Sequence, residues 1–224
     1  GLAGWFISQI MQRPYVLNLS DYWPEYLYVS GTVSQRSLLY RLFEAITNLT
    51  QQQADHIVIL WPGLASGIRQ RLKSPPPISL IYNAVDLNQL HPEATGGPAF
   101  LQAHGLPDDR RWITFLGGLG PHIDLETMLT AAAHFSGRDD VSFLFVGTGA
   151  QKDKLLSVLK KPDYQHCHWI EWIGANEVPA FWAASTLHFW ALHDNPLDRL
   201  RMQAKAYEAL SSGTPIAIAA VAMS

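Results

Sequence analysis

Trp112-Ile113-Thr114-Phe115-Leu116-Gly117-Gly118-Leu119-Gly120-Pro121-His122-Ile123-Asp124 is the stretch that decides the fold. Residues 112–116 are aromatic, β-branched or aliphatic and read as a buried strand. Glycines follow at 117, 118 and 120, and the apolar periodicity of Leu125 to Phe135 then predicts a helix. A strand that opens through glycine into a helix is the repeating unit of a parallel α/β sheet. Such a turn lets the backbone approach a phosphate closely and aims helix N–H groups at it. Gly-Gly-x-Gly lacks the full Gly-x-Gly-x-x-Gly spacing, so a tight turn without a ligand is the other reading.

The pattern recurs downstream. Val141–Val146 predicts a strand ending in Gly147-Thr148-Gly149, with a helix over Lys152–Leu159. His168–Ile173 predicts another strand, closed by Gly174, then a helix over Val178–Ala184 and a strand over Leu187–Leu192. Parallel strands need helical crossovers, which crowd their loops along one edge of the sheet. Glycine at three strand ends lines that edge with small residues. Further on, good helix formers fill Arg201–Leu210, Gly213 can end the helix, and Pro215 blocks its continuation before the apolar run 216–220. Arg201, Lys205 and Glu208 stand at i, i+4 and i+7, on one face. Such a face suits a nucleotide, cations toward phosphate and carboxylate toward ribose. An ordinary solvated face with i, i+4 charges is the alternative.

The first half reads similarly. Tyr15–Leu19 predicts a strand whose carboxyl end carries Asp21-Tyr22-Trp23-Pro24-Glu25, at the edge where open α/β sheets bind ligands. Ser37–Gln53 is periodic in Leu38, Leu39, Leu42, Phe43, Ile46 and Leu49 and predicts a long amphipathic helix. Asp55–Leu60, a helix over Leu64–Leu72 ended by Pro75-Pro76-Pro77, and Ile78–Ile81 follow. The Gly/Pro-rich stretch 91–98 reads as a linker, so domains are expected at residues 1–90 and 91–224.

Composition excludes several classes. Of 224 residues, 48% are hydrophobic and 16% charged, with a net charge of −3, which fits a globular α/β protein and invites no nucleic acid. One cysteine, Cys167, rules out an internal disulfide, and its neighbours His166 and His168 lack paired-ligand spacing, so no metal site is expected. No apolar run reaches the roughly 18 residues that span a bilayer. The chain opens on Gly1-Leu2-Ala3-Gly4 and stops just after a predicted strand, which suggests an internal piece of a longer protein, expected to be cytoplasmic.

Taken in order, Leu17-Asn18-Leu19-Ser20-Asp21, Trp23-Pro24-Glu25, Ala54-Asp55, Tyr82-Asn83-Ala84-Val85-Asp86, Gly117–Gly120, Val146–Gly149 and Lys205-Ala206-Tyr207-Glu208 through Gly213-Thr214-Pro215 resemble the retaining GT-B glycosyltransferases of the large nucleotide-sugar-dependent family, particularly bacterial surface-polysaccharide enzymes. The resemblance runs along nearly the whole chain. It implies a GT-B fold, two Rossmann-like domains with parallel sheets facing a cleft and both incomplete here, the first on the acceptor side and the second on the donor side. It further implies transfer of a sugar, with retention and without a metal, from a nucleotide-sugar donor to a glycan or lipid-linked acceptor, with peripheral membrane association an option. The donor is a substrate, and no cofactor is expected.

By the same resemblance Glu208 holds the donor ribose, Gly117, Gly118 and Gly120 with His122 contact the diphosphate, and Gly147, Gly149, Ile173 and Gly174 border the nucleotide. The sequence also departs from the family. Gly118 stands where an Arg is usual, Ile123 where a Lys is usual, and Leu200 at the first Glu of the Glu-x7-Glu pair. Arg199, Arg201 and Lys205 remain as cations for the departing diphosphate. A catalytically silent nucleotide-binding or partner subunit is therefore the alternative reading. A Rossmann oxidoreductase fits less well, because no strand is followed by the full dinucleotide fingerprint.

Overall fold

A computed structural model of the chain describes residues 1–21, 23–29, 32–193 and 203–219. These fall into two compact units, residues 1–83 and residues 84–193 with 203–219. The division lies a few residues before the expected boundary, because Val85 and Leu90 pack into the core of the second unit rather than tethering it.

The first unit holds a three-stranded parallel sheet, in the order β1 (Val16–Leu19), β2 (His56–Ile59), β3 (Ile78–Leu80). Helices α1 (Leu2–Met11), α2 (Glu25–Val29), α3 (Leu38–Gln52) and α4 (Pro62–Arg71) accompany it. Its core is Tyr15, Leu17, Ile57, Ile59, Leu64 and Ile68 with the Trp61 ring. Ser37 caps α3 by accepting from the Tyr40 N–H at 3.1 Å, an interaction worth about 1 kcal/mol. Arg71 ties three helices together, donating to Glu25 Oε1 at 2.5 Å, Gln51 Oε1 at 3.0 Å and the Trp23 carbonyl at 3.0 Å.

Two features differ from the sequence reading. α1 and α2 were not anticipated. The apolar stripe of α3 does not mark its buried face: Leu38, Leu39, Leu42, Phe43 and Leu49 are exposed, while Tyr40, Thr50 and Gln51 are buried. Tyr40 stands edge-on to Tyr28, and Gln51 is drawn in by Arg71.

The second unit is a five-stranded, all-parallel sheet in the order β6 (Cys167–Ile170), β5 (Val141–Val146), β4 (Arg111–Leu116), β7 (Ser185–Ala191), β8 (Ile216–Ala219). In chain order this is 3-2-1-4-5, the Rossmann arrangement, which switches direction between β4 and β7. Both faces are covered. Phe143 and Phe145 point toward α6 (Leu125–Ala133) and α7 (Lys152–Leu159), whereas Leu144 and Val146 join Phe100 and Leu101 of α5 (Gly97–Ala103) and Phe181 and Trp182 of α8 (Val178–Ala184). Every residue of β5 is buried, as expected of a central parallel strand. Burial of this kind stabilises by about 25 cal/mol per Å² of apolar surface, so these two layers fix the positions of the strand ends.

α5 begins inside the stretch read as a linker. Gly97 permits this: a Cβ there would lie 2.8 Å from the Ala183 carbonyl oxygen, so glycine lets the helix pack directly on the backbone that ends α8. α9 (Ala204–Ser211) ends at Gly213, whose φ of 74° supplies the left-handed stop, and Pro215 leads into β8.

Candidate functional site

The loops that leave β4, β5 and β6 at their carboxyl ends are stitched to one another by backbone bonds. Gly117 N–H donates to the Val146 carbonyl at 3.0 Å, Leu119 N–H to that of Thr148 at 2.9 Å, and Gly147 N–H to that of Ile170 at 3.0 Å. Side chains brace the same loops. Gln151 Nε2 donates to the carbonyls of Gly120 at 2.7 Å and Ile123 at 2.8 Å, and Trp169 Nε1 to that of Gly147 at 2.9 Å.

Glycine is required where the loops touch. Gly147 has φ 143°, and a Cβ on it would overlap the Gly117 carbonyl oxygen; Gly149 has φ 153°, and its Cβ would lie 2.6 Å from the Leu119 carbonyl oxygen. Gly118 differs, since a Cβ there meets nothing nearer than the Thr148 carbonyl oxygen at 4.0 Å.

These loops wall a cavity of about 510 Å³. Leu116, Gly117 and Gly118 line it from β4, Val146, Gly147 and Thr148 from β5, and Glu171, Trp172, Ile173 and Ala175 from the β6 end. Val178 of α8 and Lys205 of α9 complete it. A crevice outside the carboxyl ends of the strands of an open parallel sheet is where such folds bind ligands. Its size and mixed lining suit a small organic molecule with a charged portion.

Of the residues singled out from sequence, Gly117, Gly118, Gly147, Ile173 and Lys205 reach the cavity wall. Gly120, His122, Gly149, Gly174 and Glu208 do not line it. His122 folds back over Gly120, where a Cβ would lie 2.8 Å from the imidazole Cε1. Gly174 is a support: its N–H donates to Glu177 Oε2 at 2.7 Å, and Glu177 Oε1 pairs with His104 Nε2 at 3.0 Å. The Gly174 N–H first, and His104 second, hold the Glu177 carboxyl below its ordinary value. Arg199, Leu200 and Arg201 lie outside the described residues.

Glu208 sits beside the cavity with its carboxylate engaged. Lys205 Nζ donates to both oxygens, at 2.7 and 2.8 Å, and Trp182 Nε1 to Oε2 at 3.3 Å. An ionised carboxylate has about four acceptor sites, so capacity for further donors remains. Ile123 is 1% exposed, inside the core and bridged to Leu192, so the position of the family's Lys cannot present a cation here. Sequence reading did not assign Leu116, Val146, Glu171, Trp172, Ala175 or Val178 to the site. Trp172, an aromatic one residue before the expected glycine at a strand end, is the one that carried a usable signal.

The Cys167 cluster belongs to the core. Cys167 is buried, its thiol pushed up to about 12 by desolvation, and His166 Nε2 bonds the Ala132 carbonyl at 3.0 Å. Among the described residues no group of three or more His, Cys, Asp or Glu side chains is placed to hold a metal, and no helix is long and apolar enough to cross a membrane.

No known family profile matches the chain. It is 24% identical over 162 residues to a protein of Pseudomonas aeruginosa described as the probable glycosyltransferase WbjE, a match that takes in 71% of this chain and 39% of that one. Among solved structures it is similar to Anabaena Alr3699/HepE in complex with UDP and glucose, with a TM-score of 0.74 and 18% identity over 97% of this chain and 55% of that one. Sucrose-phosphate synthase from Thermosynechococcus elongatus gives a TM-score of 0.71 at 17% identity, covering 97% of this chain and 53% of that one. WaaG, a glycosyltransferase involved in lipopolysaccharide biosynthesis, gives 0.71 at 14% identity, covering 91% and 55%. The chain thus spans about half or less of the length of these proteins. At these identities the structural likeness establishes the fold, which is that of the GT-B glycosyltransferases, as the sequence resemblance implied.

Proposed function

We propose that the second unit holds the nucleotide part of a nucleotide-sugar donor at the carboxyl edge of its sheet, in a protein that transfers the sugar to a glycan or lipid-linked acceptor with retention and without a metal. The cavity bounded by Gly117, Gly118, Gly147 and Lys205 carries this reading. Glycine backbone can approach a diphosphate closely, and Lys205 supplies positive charge where charge develops on the leaving group. In this reading Glu208, which pairs with Lys205, accepts from the ribose hydroxyls with its remaining acceptor capacity. That a similar structure holds UDP and another relative is described as a probable glycosyltransferase supports the same reading.

A second reading has its own observation. With Ile123 buried and Gly118 bare, Lys205 is the one cation among the described residues lining the cavity, and Glu208 already partners it. That favours binding without turnover.

Thermal unfolding of the 224-residue chain with UDP-, GDP-, ADP- and CMP-sugars tests the proposal. A donor at 100 times its Kd should add about 2.7 kcal/mol of stability. Release of free sugar or transfer to acceptor separates the transferase from the silent reading, and no stabilisation by any nucleotide sugar would overturn both.

A further inference from the structure

We propose that Trp182 is the positioning residue for Glu208, and that Lys205 is the exchangeable partner of the same carboxylate, drawn away when a diphosphate enters. The inference rests on the donor-site reading above and concerns how that site opens for its ligand. The Glu208 carboxylate accepts from Lys205 Nζ at 2.7 and 2.8 Å and from Trp182 Nε1 at 3.3 Å on Oε2. The two donors differ in how firmly the fold holds them. Trp182 is 1% exposed, and its ring stands edge-on to Phe181 at 5.0 Å and to His188 at 4.9 Å. Its backbone carbonyl accepts from Thr214 Oγ1 at 3.4 Å, which ties the end of α8 to the turn after α9. Glu208 is carried on α9, whose Ala206 and Ala209 are fully buried. The indole N–H therefore points in a fixed direction from one packed helix toward a carboxylate on another.

Lys205 is held less firmly. Its ammonium ends a flexible four-carbon stem, 33% of the side chain is exposed, and it lines the cavity beside Gly117 and Gly118. A diphosphate there offers it more than one negative charge, against the single charge of Glu208. Once Lys205 turns to the phosphates, Oε1 of Glu208 is uncovered while Oε2 stays on the Trp182 N–H. The carboxylate then keeps its direction and presents its open acceptor sites to hydroxyls on the same ligand. Phosphate binding at one end thus prepares hydroxyl binding at the other. Without the indole donor, the released carboxylate is free to follow Lys205 or to turn into solvent, so Trp182 acts through Glu208 and touches no ligand itself. The spacing of Lys205 and Glu208 along α9 brings that pair together, but Trp182 reaches it from α8, 26 positions away.

Titration with UDP and inorganic pyrophosphate tests the inference in the unmodified chain, Trp182→Phe, Glu208→Ala and the double variant, alongside ¹H–¹⁵N spectra of the indole N–H groups. Trp182→Phe keeps an aromatic ring and loses the donor, so it should weaken UDP about fivefold and leave pyrophosphate within about twofold. In the Glu208→Ala background the same change should cost nothing further. Glu208→Ala should shift one indole resonance, the one missing from Trp182→Phe, and pyrophosphate should move that resonance downfield as Lys205 leaves the carboxylate. Unchanged UDP affinity in Trp182→Phe, with Glu208→Ala impaired, would overturn the inference and leave the donor site standing. An equal loss of pyrophosphate, or a loss that adds to that of Glu208→Ala, would confine Trp182 to the core and overturn it as well. Should Trp182→Phe fail to fold, the spectra decide: no indole resonance that answers both to Glu208→Ala and to pyrophosphate sinks the proposal. If the unmodified chain binds neither UDP nor pyrophosphate, the donor-site reading itself falls, and the inference with it.

Discussion

Lys205 Nζ lies 2.7 Å from Oε1 and 2.8 Å from Oε2 of Glu208, so the cation proposed for phosphate and the carboxylate proposed for ribose pair with each other. Sequence spacing placed both on one helix face and left open whether they served a ligand or each other. The structure shows the mutual pair, with Lys205 at the cavity wall and Glu208 beside it.

This pair yields the first prediction. Glu208→Ala removes charge-assisted bonds from Lys205 and Trp182, each nominally about 1.5 to 3 kcal/mol, though solvent at the one-third-exposed Lys205 reduces the net loss to about 1 kcal/mol. UDP affinity should fall roughly tenfold while pyrophosphate affinity holds, because the ribose contact is lost. Lys205→Met should weaken both ligands alike. A stability loss in Glu208→Ala with unchanged UDP affinity would confine the residue to the fold.

A second prediction separates the glycines of the site. Gly147→Ala should abolish folding of the second unit, since the added Cβ overlaps the Gly117 carbonyl. Gly118→Ala should be nearly neutral, because the space is open. Gly118→Arg, which restores the family's cation, should fold and tighten UDP binding about threefold or more. The other departing position cannot be restored: Ile123→Lys buries a charge in the core and should cost several kcal/mol, read by urea unfolding.

The pH dependence of stability should carry the signature of His188. It is 1% exposed, packed between Phe115, Trp182 and Trp190, and burial pushes its imidazole down from 6.5 to about 4, with the Thr114 backbone bond opposing and Lys205 reinforcing the shift. Between those values the unfolded chain binds a proton that the folded chain refuses. Stability is therefore full above about 6.5 and declines as pH falls toward 4, by on the order of 3 kcal/mol. Urea unfolding at pH 7.5 and 4.5 should show this loss, and His188→Gln should flatten most of it. An equal slope in the variant would move the effect to another group.

Much of the second unit was legible because its central strands β4 and β5 are largely buried and run directly into glycine. β5 reads as an apolar run broken only at Ser142, and Gly213 with Pro215 marks where α9 stops. The misses have physical causes. α1, Leu2–Met11, is apolar on most of its circumference and so lacks a helical period, while α5 hides behind Gly96-Gly97-Pro98, which serve close packing on α8 rather than a linker. In α3 the period found the helix but not its buried side, which Tyr28 and Arg71 decide from distant sequence. The same limit applies at the site. Glycines announced the loops, but the enclosure of Ile123 and the exposure of Trp172 are properties of packing that no local pattern encodes.

A further prediction concerns metal. The proposed site balances phosphate charge with Lys205 and backbone dipoles, so EDTA should leave UDP affinity within about twofold. A large loss in chelator, restored by Mn²⁺ or Mg²⁺, would show that a cation completes the site.

Hydrogen exchange across the chain with and without saturating UDP tests the central claim most directly. The account expects slowed exchange in the loops after β4, β5 and β6, residues 117–120, 147–149 and 171–175, and at the start of α9, with little change at the opposite edge of the same sheet around Arg110, Gly137 and His166. Protection confined to that opposite edge or to the first unit, or none at saturating nucleotide, would contradict it.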